Sequence, residues 1–103
     1  MLFQPVFPAA ELAPGCSRLV TIGGKDIAVF NVRGTFHAME DTCLHAGGPL
    51  HEGRLKGKTV TCPWHEWRFD VTNGKCDLNP IVALTCYPVR VRDGQVEINA
   101  SGR

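Results

Sequence analysis

Val89-Arg90-Val91-Arg92-Asp93-Gly94-Gln95-Val96-Glu97-Ile98 reads as a β-hairpin. Apolar and polar side chains alternate along both arms, the period of a strand with one buried face. Asp93-Gly94 is a favoured pair for the two-residue type I′ turn between them. Working outward, the same grammar recurs. Residues 19–22 and 26–32 are apolar, β-branched runs on either side of Gly23-Gly24, a second hairpin. Arg33-Gly34 then turns the chain into a strand over 35–39, and Asn73-Gly74 follows Arg68-Phe69-Asp70-Val71 as a further short hairpin signal. Helix is confined to one turn over 9–13, bracketed by Pro8 and Pro14. Many short strands at close spacing predict an all-β sandwich or barrel.

Two stretches break this regularity. Residues 42–49 and 62–67 are rich in Gly, Pro, Cys and His and read as loops on the β scaffold, where chemistry concentrates. The first holds Cys43-Leu44-His45-Ala46-Gly47-Gly48-Pro49-Leu50 and the second Cys62-Pro63-Trp64-His65-Glu66-Trp67. As a pattern this is C-x-H, sixteen residues, then C-x-x-H. A [2Fe–2S] cluster takes four protein ligands, two per iron. Replacing two thiolates by imidazoles on one iron raises its potential. Cys43, His45, Cys62 and His65 supply that set, one Cys and one His from each loop. Gly47 and Gly48 let backbone N–H groups approach the sulfides, and Pro49 and Pro63 stiffen the loops.

Composition narrows the alternatives. The 103 residues are 44% hydrophobic and 20% charged with a formal net charge of +1, ordinary for one globular domain. No basic run marks a nucleic-acid or membrane-surface binder. The N-terminal residues lack a basic segment and a long apolar stretch, so no signal peptide or anchor is expected and the protein is placed in the cytoplasm. Five cysteines (Cys16, Cys43, Cys62, Cys76, Cys86) are an odd set for disulfides, and clustered Cys and His in a reducing compartment indicate metal.

The two loops resemble the cluster-binding boxes of the Rieske family. The resemblance continues through Ile27-Ala28-Val29-Phe30-Asn31-Val32, Trp67-Arg68-Phe69-Asp70-Val71, Thr72-Asn73-Gly74 and Tyr87-Pro88-Val89-Arg90-Val91, covering nearly the whole chain. It is closest in kind to the small soluble ferredoxins of oxygenase systems. The resemblance implies a single Rieske domain over 1–103: an antiparallel β-sandwich base with an inserted cluster-binding subdomain, about 41–80. It implies that Cys43 and Cys62 bind the inner iron. His45 and His65 would bind the outer iron through Nδ1, near the tip. It further implies a monomeric one-electron carrier, not itself an enzyme. Electrons would come from an NAD(P)H-dependent flavin reductase and go to a terminal, aromatic ring-hydroxylating oxygenase.

Residues that differ from the family's high-potential members predict the redox poise. Those members carry an extra Cys in each box, where this chain has Gly48 and Trp64, so their disulfide is excluded. Trp67 and Phe69 stand where they place a Ser and a Tyr whose hydroxyls bond cluster and ligand sulfur. Fewer hydrogen bonds to sulfur stabilise the reduced state less. The expected potential is therefore at the low end of the Rieske range, roughly −150 mV. Glu66 departs from the usual Gly after the second histidine.

Other readings compete with this one. A zinc site also uses Cys and His, but its ligands usually come as like pairs in short knuckles. A Rieske-like small subunit of assimilatory nitrite reductase is the main functional alternative, although many of those lack the four ligands. The Rieske domain of an oxygenase large subunit would need a mononuclear iron site on a much larger domain. Outside the boxes the simple readings hold: Cys16, Cys76 and Cys86 as structural thiols, His37 and His51 as surface or packing residues. Trp64 and Trp67 read as core or cluster-shielding residues, and Asp70 with Thr72-Asn73-Gly74 as turn chemistry.

Overall fold

The computed structural model describes residues 3–41, 49–63, 67–77, 81 and 83–100. Within them the β grammar of the sequence is realised as three antiparallel sheets. The strands are β1 (Phe3–Pro8), β2 (Ser17–Ile22), β3 (Lys25–Val32), β4 (Thr35–Glu40), β5 (Arg54–Lys56), β6 (Thr59–Thr61), β7 (Arg68–Asp70), β8 (Cys86–Tyr87), β9 (Val89–Arg92) and β10 (Gln95–Asn99). They are ordered β1-β10-β9, β2-β3-β4-β8 and β5-β6-β7. Among the described residues helix is limited to two 3-10 turns, Ala9–Glu11 and Leu50–Glu52. The first falls where the prolines confine it; the second was not expected.

Three reversals have the turn that their dipeptides predict. Gly23 and Gly24 (φ 57° and 81°), Arg33 and Gly34 (54° and 96°), and Asp93 and Gly94 (54° and 77°) all adopt positive φ. That pair of left-handed residues is the type I′ requirement, and its twist matches the flanking strands. Asn73-Gly74 gives a looser result. Asp70 N–H donates to Lys75 O across a four-residue loop, Asp77 N–H donates to Arg68 O, and the returning chain makes isolated bridges from Cys76 to Phe69 and from Lys75 to Ala83.

The four-stranded sheet is the middle layer. In β3, Ile27 and Val29 pack with Phe7, Ala38, Val96 and Ile98 toward the β1-β10-β9 sheet. Ala28 and Phe30 pack with Met39, Leu50, Val60 and Phe69 toward β5-β6-β7. A strand covered on both faces must be apolar at consecutive positions, which is why 27–30 reads as an unbroken run. The two-sheet base of the sandwich is thus β1-β10-β9 on β2-β3-β4-β8, with the small sheet on the far side.

Two features escaped sequence reading. β1 carries Pro5 and Pro8, yet it is a strand because it lies at a sheet edge, pairing only with β10 through a register shift between Pro5 and Phe7. An edge strand tolerates the missing donors. β5 and β6 are three residues each, joined at Gly57-Lys58 with Gly57 at φ 61°. Strands that short carry almost no periodic signal.

Candidate metal centre

Cys62 follows β6 and is 1% exposed, packed among Leu50, Val60, Phe69 and Cys76. Its N–H donates to the carbonyl of Trp67 at 2.7 Å, one step beyond the Thr61–Arg68 pair of β6 and β7. The second box is therefore the four-residue mouth of the β6–β7 hairpin, with Cys62 at its base. Such a placement fixes the backbone on both sides of the C-x-x-H segment. Trp67 is half-buried against the same core, in keeping with a shielding role.

The first box leaves β4 and returns at the second 3-10 turn. Its neck is closed by Leu50 N–H to Asp41 O at 3.0 Å and His51 N–H to Asp41 Oδ1 at 2.7 Å. Leu50 is fully buried and belongs to the same apolar wall as Cys62, so both boxes depart from one surface. Gly53 locks them together. A Cβ there would collide with the carbonyl oxygen of Thr61 and crowd Leu50 O and Val60 Cγ2 at 3.1 Å. Its φ of −75° demands no glycine, so the reason for the glycine is space alone.

Of the four ligands expected from the sequence, Cys62 is described; Cys43, His45 and His65 lie outside the described residues. So do Gly47, Gly48, Trp64 and Glu66. Cys62 fits a thiolate ligand: it is buried, at the base of a loop, on an apolar wall that excludes water. A buried cysteine sulfur suits a soft metal centre. Among the described residues no group of three or more His, Cys, Asp or Glu stands ready to hold an ion.

The remaining candidates resolve individually. His51 Nδ1 lies 2.8 Å from Asp41 Oδ2, so this imidazole is engaged in the neck. His37 sits in β4 with its imidazole held below the ordinary value by burial, partly offset by Asp70. Cys16, Cys76 and Cys86 are free; Cys76 is buried and Cys16 exposed. Burial pushes the Cys86 thiol up, and Asp70 and Glu40 add to the effect. Asp70 accepts from the Thr72 amide at 2.8 Å, a turn-closing contact. A shallow cleft of about 490 Å³ beside Cys62 is edged by Arg54 and Arg68, which sit in one cross-strand row on either side of Thr61. Arg68 pairs with Asp77 at 2.8 Å.

Comparison with known proteins agrees with this arrangement. The model of the Rieske [2Fe-2S] domain matches residues 3–88. The ferredoxin component of the naphthalene 1,2-dioxygenase system of Pseudomonas putida is 35% identical over 83 residues, 80% of each chain. The anthranilate 1,2-dioxygenase ferredoxin subunit of Burkholderia cepacia is 40% identical over 93 residues, 89% of this chain and 78% of that one. A solved complex of reduced oxygenase and oxidized ferredoxin in carbazole 1,9a-dioxygenase contains a chain with the same fold. It superposes with a TM-score of 0.91 at 34% identity, covering 99% of this chain and 96% of that one.

Proposed function

Because this chain belongs to the Rieske [2Fe–2S] domain family, we propose that Cys43, His45, Cys62 and His65 are the ligands of its cluster. The cofactor is a Rieske-type [2Fe–2S] cluster with two Cys and two His ligands. The protein is an electron carrier of the ferredoxin-component kind, not a catalyst of bond-making. One observation carries the assignment of residues: Cys62 is a buried thiol at the base of the β6–β7 hairpin mouth, on the wall from which the first box also departs.

The chain's own residues perform three tasks. Cys62 offers a thiolate in an apolar setting, and Leu50, Val60 and Phe69 keep water from it. His65 lies three residues after Cys62 between the two ends of the hairpin mouth, and Cys43 and His45 lie two and four residues after Asp41 at the neck. When bound, the cluster supplies a site for one electron. Fully buried Phe69 brings no hydroxyl to the ligand sulfur, which supports a potential near the low end of the Rieske range, roughly −150 mV.

The electron comes from an NAD(P)H-dependent flavin reductase and goes to a terminal oxygenase of the aromatic ring-hydroxylating kind. The chain acts as a monomer in the cytoplasm, as one domain whose residues 41–80 carry the cluster. Named relatives are ferredoxin components of such systems, and a similar chain is solved with its oxygenase. No helix among the described residues is long and apolar enough to cross a membrane.

Single substitutions test the ligand set. Cys43→Ser, His45→Ala, Cys62→Ser and His65→Ala should each abolish the mixed Cys/His EPR signal and most bound iron, while His37→Ala keeps both. Retention of the signal in any of the first four removes that residue from the set.

A further inference from the structure

Asp41 makes four hydrogen bonds at the neck of the first box. Its N–H donates to Asp26 O at 3.1 Å, and its carbonyl accepts from Leu50 N–H at 3.0 Å. Its Oδ1 accepts from His51 N–H at 2.7 Å, and its Oδ2 lies 2.8 Å from His51 Nδ1. An ionised carboxylate only accepts, so the imidazole hydrogen is on Nδ1 in this contact. The carboxylate is 6% exposed and every one of these bonds joins the two ends of the loop or ties it to β3. On the other side, the His51 carbonyl accepts from Ser17 Oγ at 2.7 Å, which ties the returning end to β2. Pro49 has no N–H, so the neck's bonds begin at Leu50.

We propose that the Asp41–His51 pair is a positioning clasp that sets the spacing of Cys43 and His45 relative to Cys62. This rests on the ligand reading given above. The eight residues 42–49 have to present two ligands within about half an ångström of a productive geometry, and supporting contacts are what hold such tolerances. The middle layer anchors both ends of the loop, and among the described residues the Leu50–Asp41 backbone bond, the His51 N–H bond to Asp41 Oδ1 and the Asp41–His51 side-chain contact close it from end to end. Asp41 and His51 touch no ligand in the described residues; their effect passes through the loop.

The chemistry of the contact gives a discriminating test. The donor is one atom beyond the His51 ring carbon nearest the backbone. An asparagine amide reaches the same place, whereas a glutamine amide lies one carbon farther out. Loaded wild-type, His51→Asn and His51→Gln proteins are diluted into a chelator, and iron release is followed by visible absorbance. EPR g-values, thermal midpoints and amide exchange are measured on the same samples. The clasp predicts that His51→Gln releases iron about tenfold faster than wild type, a typical effect of a supporting contact on metal affinity. The Leu50 and position-51 amides should exchange faster, the EPR lines should broaden, and β2–β3 protection should hold. His51→Asn should stay close to wild type in all four. Equal release from His51→Asn and His51→Gln overturns the clasp while leaving the ligand set intact, as does faster release that only tracks a global loss of protection. A wild-type protein that binds no cluster overturns the ligand reading, and the clasp with it.

Discussion

The base and the cluster end of this molecule are specified in different ways. In the base, each hairpin carries its own instruction: two left-handed residues at the turn and apolar residues on the covered faces of its arms. Any one of these signals is local, and three of them repeat. At the cluster end, single contacts between distant residues decide the geometry: Asp41 with His51, Gly53 against Thr61, Cys62 with Trp67. Redundant local codes make a rigid platform. One-off contacts adjust the loops that the platform carries.

The largest expected effects come from core truncations, and they differ in kind between the two regions. Phe69→Ala, on the cluster side, should cost about 3–5 kcal/mol, and Ile98→Ala, in the base, about 2–5 kcal/mol. Both lower the thermal midpoint. Only Phe69→Ala should release iron well below its own midpoint, because its cavity opens against Cys62. Equal iron retention at matched distance from unfolding would erase the contrast.

Two glycines sharpen it further. Gly53→Ala introduces a Cβ against the Thr61 carbonyl without any backbone strain, and should cost about 1–3 kcal/mol as overpacking. Gly94→Ala meets open space but has to hold φ near 77°, which costs about 1 kcal/mol. Denaturant titration gives the stabilities. The visible spectrum should change for Gly53→Ala alone.

A smaller effect concerns the potential. Phe69→Tyr restores the hydroxyl that high-potential relatives use. One hydrogen bond to a charged acceptor contributes about 1.5 kcal/mol. For a single electron that is a rise of roughly 60 mV, read by potentiometric titration. No rise would mean that the buried ring does not present its edge to ligand sulfur.

Acid sensitivity is expected to be the mildest. Burial holds the His37 imidazole below its ordinary value. Burial alone would raise the Asp70 carboxyl, but bonds from Thr72 and Lys58 outweigh it and hold it low. Both groups bind protons less readily folded than unfolded, so their stability is full above about pH 6.5 and declines on acidification. His37 acts first and Asp70 below about pH 4. Melting curves of His37→Gln should lose the first step and those of Asp70→Asn the second.

These differences also explain what was legible in the sequence. Turn dipeptides and alternation gave the hairpins β2–β3, β3–β4 and β9–β10, since each signal lies within a few residues of what it specifies. The buried run 27–30 was readable as strand, but its double coverage was not. β1 was hidden by Pro5 and Pro8, which edge pairing permits. β5 and β6 were too short to show a period. The proposed ligand set comes from two short Cys/His boxes, C-x-H and C-x-x-H, that can be read locally. Its supports were not legible, because Asp41 and His51 are ten residues apart with ordinary identities, and only the folded neck brings them together.

Potentiometric titration of the anaerobically purified protein, followed by EPR, tests the central claim most directly. One-electron reduction to a mixed Cys/His signal is expected, with a midpoint of roughly −150 mV. A midpoint well above zero would contradict the low-potential assignment, and a colourless, EPR-silent protein holding zinc would contradict the cluster itself.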